Sequence, residues 1–201
     1  MVEPEPSLIA DLLRQSMVEG SAPYLTVVSD SMAPLIVQGD QVRLTSIDHE
    51  ALSLGDIVVL ENSNELLTHR FWGRFESGDE CQLITKGDRP QHFDRPHDAG
   101  KLIGLVTARK RNQELMPINT GAGAVFNRGV VLLSQIDIWL FTPPAPTMQK
   151  EVHGQFTHEG IFARSSRAAI GHRVLRKGIY ILQKMLVSIS QVFTHPVEEG
   201  R

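Results

Sequence analysis

The chain has 201 residues, a formal net charge of −3, 41% hydrophobic residues and 21% charged residues. These values are typical of a globular protein that buries a core without disulfides or structural metals. The small net charge favours no particular charged partner, and the single cysteine, Cys81, excludes an internal disulfide and a cysteine-rich metal site.

A short amphipathic helix is predicted near the N-terminus. Ser7 is a suitable N-cap, apolar residues follow at helical spacing, and Gly20 lies just past the predicted end. One such helix is too short for a helix-turn-helix DNA-binding unit, so we expect it to pack on the main domain. Residues 1–6 are acidic and proline-rich, unlike a secretory signal, and no apolar run reaches the length of a membrane span.

The region from Tyr24 to Ile118 predicts a mainly β domain. Short β-type runs alternate with turn residues, a spacing that favours an antiparallel barrel or coiled sheet over a parallel α/β sheet. Cys81 is expected to pack as a small hydrophobe within one strand. Residues 87–100 are predicted to form a loop of the length that is usually functional. The candidate strands are 24–28, 41–45, 56–60, 66–72, 81–86, 102–109 and 113–118.

The second half of the chain changes character after the glycine-rich residues 120–124. Residues 130–141 predict a buried or interfacial helix, too short for a span of about 20 residues. Residues 160–197 contain no acidic side chain, and their basic and apolar residues predict an amphipathic helix. This helix either touches a membrane surface through residues 160–193 or packs on the domain. Nucleic acid is not expected as a partner, because no recognised nucleic-acid-binding pattern accompanies the charge.

The predicted organisation therefore has five parts. They are an N-terminal helix (1–20), a β catalytic domain (21–120), an apolar helix (121–142), a linker (143–159) and a basic amphipathic helical tail (160–201).

A serine-rich turn follows the first predicted strand. Its sequence is Ser29-Asp30-Ser31-Met32-Ala33-Pro34. Proline fixes its own φ and restricts the residue before it, so the turn that holds Ser31 is expected to be stiff. A rigidly held serine suits a nucleophile, although turn serines alone are more often capping residues.

Further motifs follow this turn in a fixed order. They are GDIVVL at 55–60, His69-Arg70, TKGD at 85–88 with Asp94 six residues beyond, and LIGLV at 102–106. Together with the serine turn, this order resembles the signal peptidase I clan of serine endopeptidases over about residues 27–106. The resemblance implies a signal-peptidase-type β fold and an acyl-enzyme mechanism without metal or organic cofactor. It also implies an extended peptide or protein precursor as the substrate, laid beside a strand edge.

The resemblance implies a nucleophile and a base. Ser31 is the implied nucleophile, and His69 stands where the bacterial type has a lysine base. The chain is therefore similar to the histidine-base type of archaeal and eukaryotic signal peptidases. An imidazole can accept the serine proton and return it to the leaving amine. Lys86 belongs to the TKGD motif and is not the implied base.

Three further residues have implied supporting roles. Asp94 is implied to orient the histidine, and Asp88 to shape the loop, but these two roles are interchangeable at the level of sequence. The Ser29 hydroxyl is implied to join the backbone N–H of the nucleophile in an oxyanion hole. Asp30 replaces the glycine usual between the two serines, and we expect its side chain to face outward.

Alternatives from other classes remain open. A catalytically silent, peptidase-like binding or regulatory module would keep the sheet without turnover. Self-cleavage would need an Ala-Gly or Cys-Gly bond ahead of Ser31, and neither dipeptide precedes Tyr24. A metal site is disfavoured, because the spacing matches no standard zinc motif. The candidate ligands would be His92, Asp94, His97 and Asp98. The compartment stays open between the cytoplasm and a membrane surface.

Overall fold

The computed structural model describes residues 6–63, 65–78, 80–90, 92–141, 177–185 and 188. The described strands form an eight-stranded antiparallel sheet that is curled into a half-barrel, flanked by helices α1 (Pro6–Val18) and α2 (Gly121–Phe141). The predicted fold class, a mainly β antiparallel coiled sheet with additional helices, is confirmed. The strands are β1 (Tyr24–Thr26), β2 (Gln41–Thr45), β3 (Ile57–Asn62), β4 (Glu65–Ser77), β5 (Glu80–Lys86), β6 (His97–Asp98), β7 (Leu102–Arg111) and β8 (Glu114–Pro117).

The curl of the sheet follows from its strand order and its bulges. The order is β1-β2-β7-β3-β4-β5-β6, and β8 pairs with β7. Register shifts interrupt the ladders at Arg43/Leu44, Val59/Leu60 and Phe71/Gly73. A register shift of the bulge type bends its strand and increases the local twist, so shifts in the β2–β7, β3–β7 and β4–β5 ladders bend the sheet toward closure.

Strand β3 lies between two hydrophobic clusters. Successive strand residues point to opposite faces, so Ile57 and Val59 join the larger cluster while Val58 and Leu60 join the smaller one. All four side chains are fully buried. Burial on both faces explains why this strand is continuously apolar in sequence instead of alternating.

Helix α1 begins at Pro6, so the predicted N-cap Ser7 lies inside the helix, and it packs on the sheet. Ala10, Leu13 and Met17 are buried in the larger cluster. Just past the helix end, Gly20 has φ +85°, and the Gly20 and Ser21 N–H groups donate to the last turn. A left-handed residue in this position is a standard helix C-terminus that glycine adopts without strain.

Several elements differ from the prediction. Strand β4 extends five residues beyond its predicted end at 72, β6 lies inside the predicted long loop, and the 3₁₀ turn Ala99–Lys101 closes that loop. Helix α2 begins at Gly121, before the apolar run 130–141 and at the first residue of the predicted apolar-helix segment 121–142. Among the described helices, none has the length and apolarity needed to cross a membrane.

A further helical segment, near the C-terminus, contacts α2. Residues 177–185 are helical, and Ile179 and Gln183 are buried. The Gln183 side-chain amide donates to Ser134 Oγ at 3.3 Å, which joins this segment to α2. The predicted linker (143–159) and most of the predicted basic helix (160–193) lie outside the described residues.

The loop between β1 and β2, which carries the serine turn, is fixed by buried polar contacts. The Asp40 carboxylate is 2% exposed, accepts the Val37 N–H at 2.8 Å and receives two 2.7 Å bonds from Arg111. Arg109 donates to the Leu35 carbonyl at 2.8 Å, and burial lowers the pKa of Arg109 to about 10. Two arginines of β7 thus anchor the loop to the sheet.

We expect Asp40→Asn to destabilise the protein by about 2–4 kcal/mol. The change removes the buried charge that pairs with the half-buried Arg111 and leaves that guanidinium incompletely paired. Urea unfolding measures the difference in unfolding free energy. Asp11→Asn is the control, since Asp11 pairs with Arg14 at an exposed site and should cost less than about 1 kcal/mol. Equal effects of the two changes would contradict this account of the loop.

Candidate active site

The sequence-predicted serines lie together on the turn after β1. Ser31 is half-buried and Ser29 is exposed. The Ser29 hydroxyl donates to Ser31 Oγ at 3.3 Å. Within the turn the Ala33 N–H donates to the Asp30 carbonyl at 3.1 Å, and Met32 is fully buried in the core. The turn therefore holds one hydroxyl at the surface of the core with a second hydroxyl beside it.

A buried histidine is oriented by an aspartate. His69, in the middle of β4, is 5% exposed, and its Nδ1 lies 2.6 Å from Asp94 Oδ2. The same carboxylate oxygen accepts the Thr85 hydroxyl at 2.7 Å, and the Asp94 N–H donates to the Thr85 carbonyl at 2.9 Å. Asp94 is thus held on β5 by two bonds while its carboxylate faces the imidazole. Since Nδ1 faces the carboxylate, Nε2 points the other way, and it is buried with no hydrogen-bond partner among the described residues.

Gly87 brings the serine turn and the histidine into one small space. A Cβ added at Gly87 would stand 2.8 Å from the Ser31 carbonyl oxygen and 3.0 Å from His69 Nε2. The Arg89 N–H donates to that same Ser31 oxygen at 2.9 Å. The absence of a side chain at residue 87 is therefore what lets the loop approach both groups.

The two candidate aspartates occupy different environments. Asp94 contacts His69, whereas Asp88 forms a buried bidentate pair with Arg70, at 2.8 Å from Nε and 2.7 Å from Nη2. Both side chains of this second pair are at most 1% exposed. The sequence left open whether Asp88 or Asp94 orients the histidine. The geometry favours Asp94, because of these two aspartates only Asp94 bonds to the imidazole.

Asp30, which replaces the usual glycine, has its carboxylate engaged elsewhere. Its Oδ1 accepts the Gln38 N–H at 2.9 Å, and its Oδ2 lies 3.9 Å from Nη1 of Arg89. The Asp30 side chain is 47% exposed. The carboxylate therefore faces solvent and residue 38, as the sequence analysis expected.

The four residues considered for a metal do not form a common cluster. His92 is exposed, and Asp98 caps the following 3₁₀ turn by accepting the Gly100 N–H at 2.7 Å. No group of three His, Cys, Asp or Glu side chains suited to a metal ion occurs in the part of the chain that the structure describes.

Two residues near the histidine were not predicted from sequence. Thr85 contributes the second bond to Asp94, and its place in the TKGD motif was the available signal. His97, on β6, was considered only as a metal ligand. Burial lowers the pKa of His97, the Asp94 charge opposes this shift, and His69 adds to it. His97 therefore interacts electrostatically with the same carboxylate that bonds to His69.

Part of the chain is similar in sequence to known proteins. No protein-family model matches the chain. It is similar to the signal peptidase complex catalytic subunit SEC11 of Colletotrichum graminicola, 34% identical over 79 residues, which is 38% of this chain and 46% of that protein. It is also similar to SEC11 of Scheffersomyces stipitis, 39% identical over 69 residues, 33% of this chain and 41% of that protein.

The two relatives confirm the resemblance to signal peptidase I-like proteins that the motifs predicted. The chain spans less than half the length of the curated relatives it matches.

We expect His97→Gln to reduce the acid sensitivity of folding. A folded-state pKa below the unfolded value of about 6.5 means that the unfolded chain binds the proton first. The stability that His97 contributes is therefore present above about 6.5 and is lost as the pH falls toward the folded value. Unfolding free energies measured by urea from pH 7.5 to pH 5 should decline less in the variant. His92→Gln, at an exposed imidazole, is the control, and identical declines in all three proteins would contradict the prediction.

Proposed function

We propose that the chain is a serine endopeptidase that cleaves a peptide bond in a protein or peptide precursor, in the manner of signal peptide processing. Ser31 is the nucleophile, His69 the general base and Asp94 the residue that orients the base. The observation that carries the proposal is the 2.6 Å bond between His69 Nδ1 and Asp94, which leaves Nε2 unpartnered beside the serine turn.

The proposed chemistry begins with proton transfer from the Ser31 hydroxyl to His69 Nε2. A serine hydroxyl is a weak nucleophile until a base removes its proton, and a neutral imidazole is such a base. The Ser31 oxygen attacks the scissile carbonyl carbon, and the imidazolium is stabilised by the Asp94 carboxylate. The imidazolium then returns its proton to the leaving amine. Water, activated by the same imidazole, hydrolyses the acyl-enzyme.

The developing oxyanion requires hydrogen-bond donors. The backbone N–H of Ser31 and the hydroxyl of Ser29 are the proposed donors, since Ser29 Oγ lies 3.3 Å from Ser31 Oγ. In its described position the Ser29 hydroxyl donates to the nucleophile oxygen and would rotate toward the substrate oxygen after attack. A preorganised donor of this kind is worth about 3–4 kcal/mol of barrier.

The proposed substrate is an extended chain. Strand β1 is at the edge of the described sheet and leads directly into the serine turn. A peptide that adds to this edge would carry its scissile bond toward Ser31, because main-chain pairing fixes its direction and register. The curated relatives are named as catalytic subunits of a signal peptidase complex, which supports a precursor polypeptide as the substrate and further subunits as partners.

We expect Ser31→Ala and His69→Ala each to reduce peptide cleavage by about 10⁴-fold or more. The thermal unfolding midpoint should change little in Ser31→Ala, whereas His69→Ala should lower it because it removes a buried side chain that is bonded to Asp94. Each removes one member of the unit that transfers the proton and attacks the carbonyl. Cleavage assays and labelling by a fluorophosphonate probe measure the effect. Labelling of wild type but not of Ser31→Ala supports the nucleophile. No labelling and no cleavage by wild type would instead support the silent binding module.

The identity of the base has its own test. A histidine base acts in its neutral form, so cleavage should be lost when acid protonates the imidazole. Retention of activity in His69→Ala together with its loss in Lys86→Ala would overturn the histidine assignment.

A further inference from the structure

The guanidinium of Arg70 is completely buried and is bonded on several sides. Its Nε and Nη2 donate to the Asp88 carboxylate at 2.8 and 2.7 Å. Its Nη1 donates to the Gly55 carbonyl at 2.7 Å and to Asn127 Oδ1 at 2.8 Å. Asn127 is a residue of α2 and is 8% exposed. Asn127 thus supplies a side-chain acceptor to this buried cation from a helix that lies outside the motif-bearing residues 27–106.

One member of the ion pair follows the proposed base in sequence, and the other lies in the loop that contacts the serine turn. Arg70 directly follows His69 on β4. Asp88 lies between Gly87, which adjoins His69 Nε2 and the Ser31 carbonyl, and Arg89, whose N–H donates to that carbonyl. The position of the guanidinium therefore fixes the strand that carries the base relative to the loop that contacts the nucleophile's main chain.

Helix α2 is a rigid support for the asparagine. A Cβ added at Gly55 would stand 2.6 Å from Val131 Cγ2, and one added at Gly123 would overlap the Pro117 carbonyl. Approach this close at two points leaves little freedom for the helix to shift along the sheet. Asn127 lies between these two contacts, so its side-chain oxygen is held at a fixed distance from Arg70.

We propose that Asn127 is a positioning residue of the active site, which acts through Arg70 and Asp88 on the relation between His69 and Ser31. The inference rests on the proposed peptidase function. Without the Asn127 oxygen, an N–H of a buried cation loses its acceptor, a costly state that the guanidinium relieves by shifting or by admitting water. A shift of the guanidinium carries Asp88 and its loop with it. Misplacement of about 1 Å at reacting groups costs about 10²-fold in rate.

The test compares three changes on α2. Asn127→Leu removes the acceptor at similar volume, and Asn127→Asp keeps an oxygen for Arg70. Gln135→Leu is the matched control, the same loss of an amide at an exposed position of the same helix. In the full-length chain we expect Asn127→Leu to lower kcat by about tenfold to a hundredfold, with KM changed less than about twofold. Asn127→Asp should recover kcat to within about threefold of wild type, and Gln135→Leu should leave it unchanged.

A spectroscopic readout separates positioning from mere support of the fold. The proton between His69 Nδ1 and Asp94 should give a low-field NMR signal in wild type that shifts or broadens in Asn127→Leu but not in Gln135→Leu. A lower unfolding midpoint with wild-type kcat and an unchanged signal would overturn the proposal. Asn127→Ser, a milder loss of the same contact, replaces Asn127→Leu if that variant does not fold, and is judged by the same outcomes.

Failure of the proposed function would look different. If wild-type protein neither cleaves peptides nor reacts with a fluorophosphonate, the peptidase assignment fails. The NMR comparison then still decides whether Asn127 controls the geometry at His69. Full activity of wild type and of Asn127→Leu alike would leave the peptidase in place and reject the positioning role.

Discussion

The buried ion pair between Arg70 and Asp88 is the interaction on which the rest of the site depends. Two unit charges at most 1% exposed lose nearly all their hydration, a cost that is offset only by good geometry and complete hydrogen bonding. The fork of Arg70 onto both carboxylate oxygens supplies that geometry, and acceptors from the residue-55 turn and from α2 complete the bonding. The Arg70 guanidinium thus connects its own strand β4 to the loop after β5, to the turn before β3 and to helix α2.

Much of the fold was predictable because its signals are local. The helical spacing after Ser7 and the glycine at position 20 are short-range features, and they located α1, although the helix begins at Pro6 and not after Ser7. The apolar run of β3 was likewise visible in sequence. The two-residue strand β6 was not, because it exists only by pairing with Gln82 and Leu83 of β5. Nothing local in residues 97–98 distinguishes that pairing from a loop.

The site shows the same division between local and long-range information. Motif order drew attention to Ser31, His69 and both aspartates, and spacing alone could not decide which carboxylate meets the imidazole. Which aspartate contacts the imidazole depends on the path of the loop. The Asp94 N–H bonds back to the Thr85 carbonyl, and the Asp88 carboxylate bonds to Arg70 instead. Asn127 lies 57 positions from Arg70 in the chain, so its contact is a product of tertiary packing that no motif records.

The shortness of β1 has a consequence for how firmly a peptide can be held. The strand is three residues long, so a chain that pairs with its outer edge gains few main-chain hydrogen bonds, each worth about 1 kcal/mol net. Such an edge also offers little template for accidental pairing between copies of the protein, since short edge strands limit unwanted association. In the proposed peptidase, such weak attachment would let a cleaved fragment leave readily. Discrimination between precursors would then come from the fit of side chains beside the scissile bond and from additional protein surfaces, not from the length of the strand.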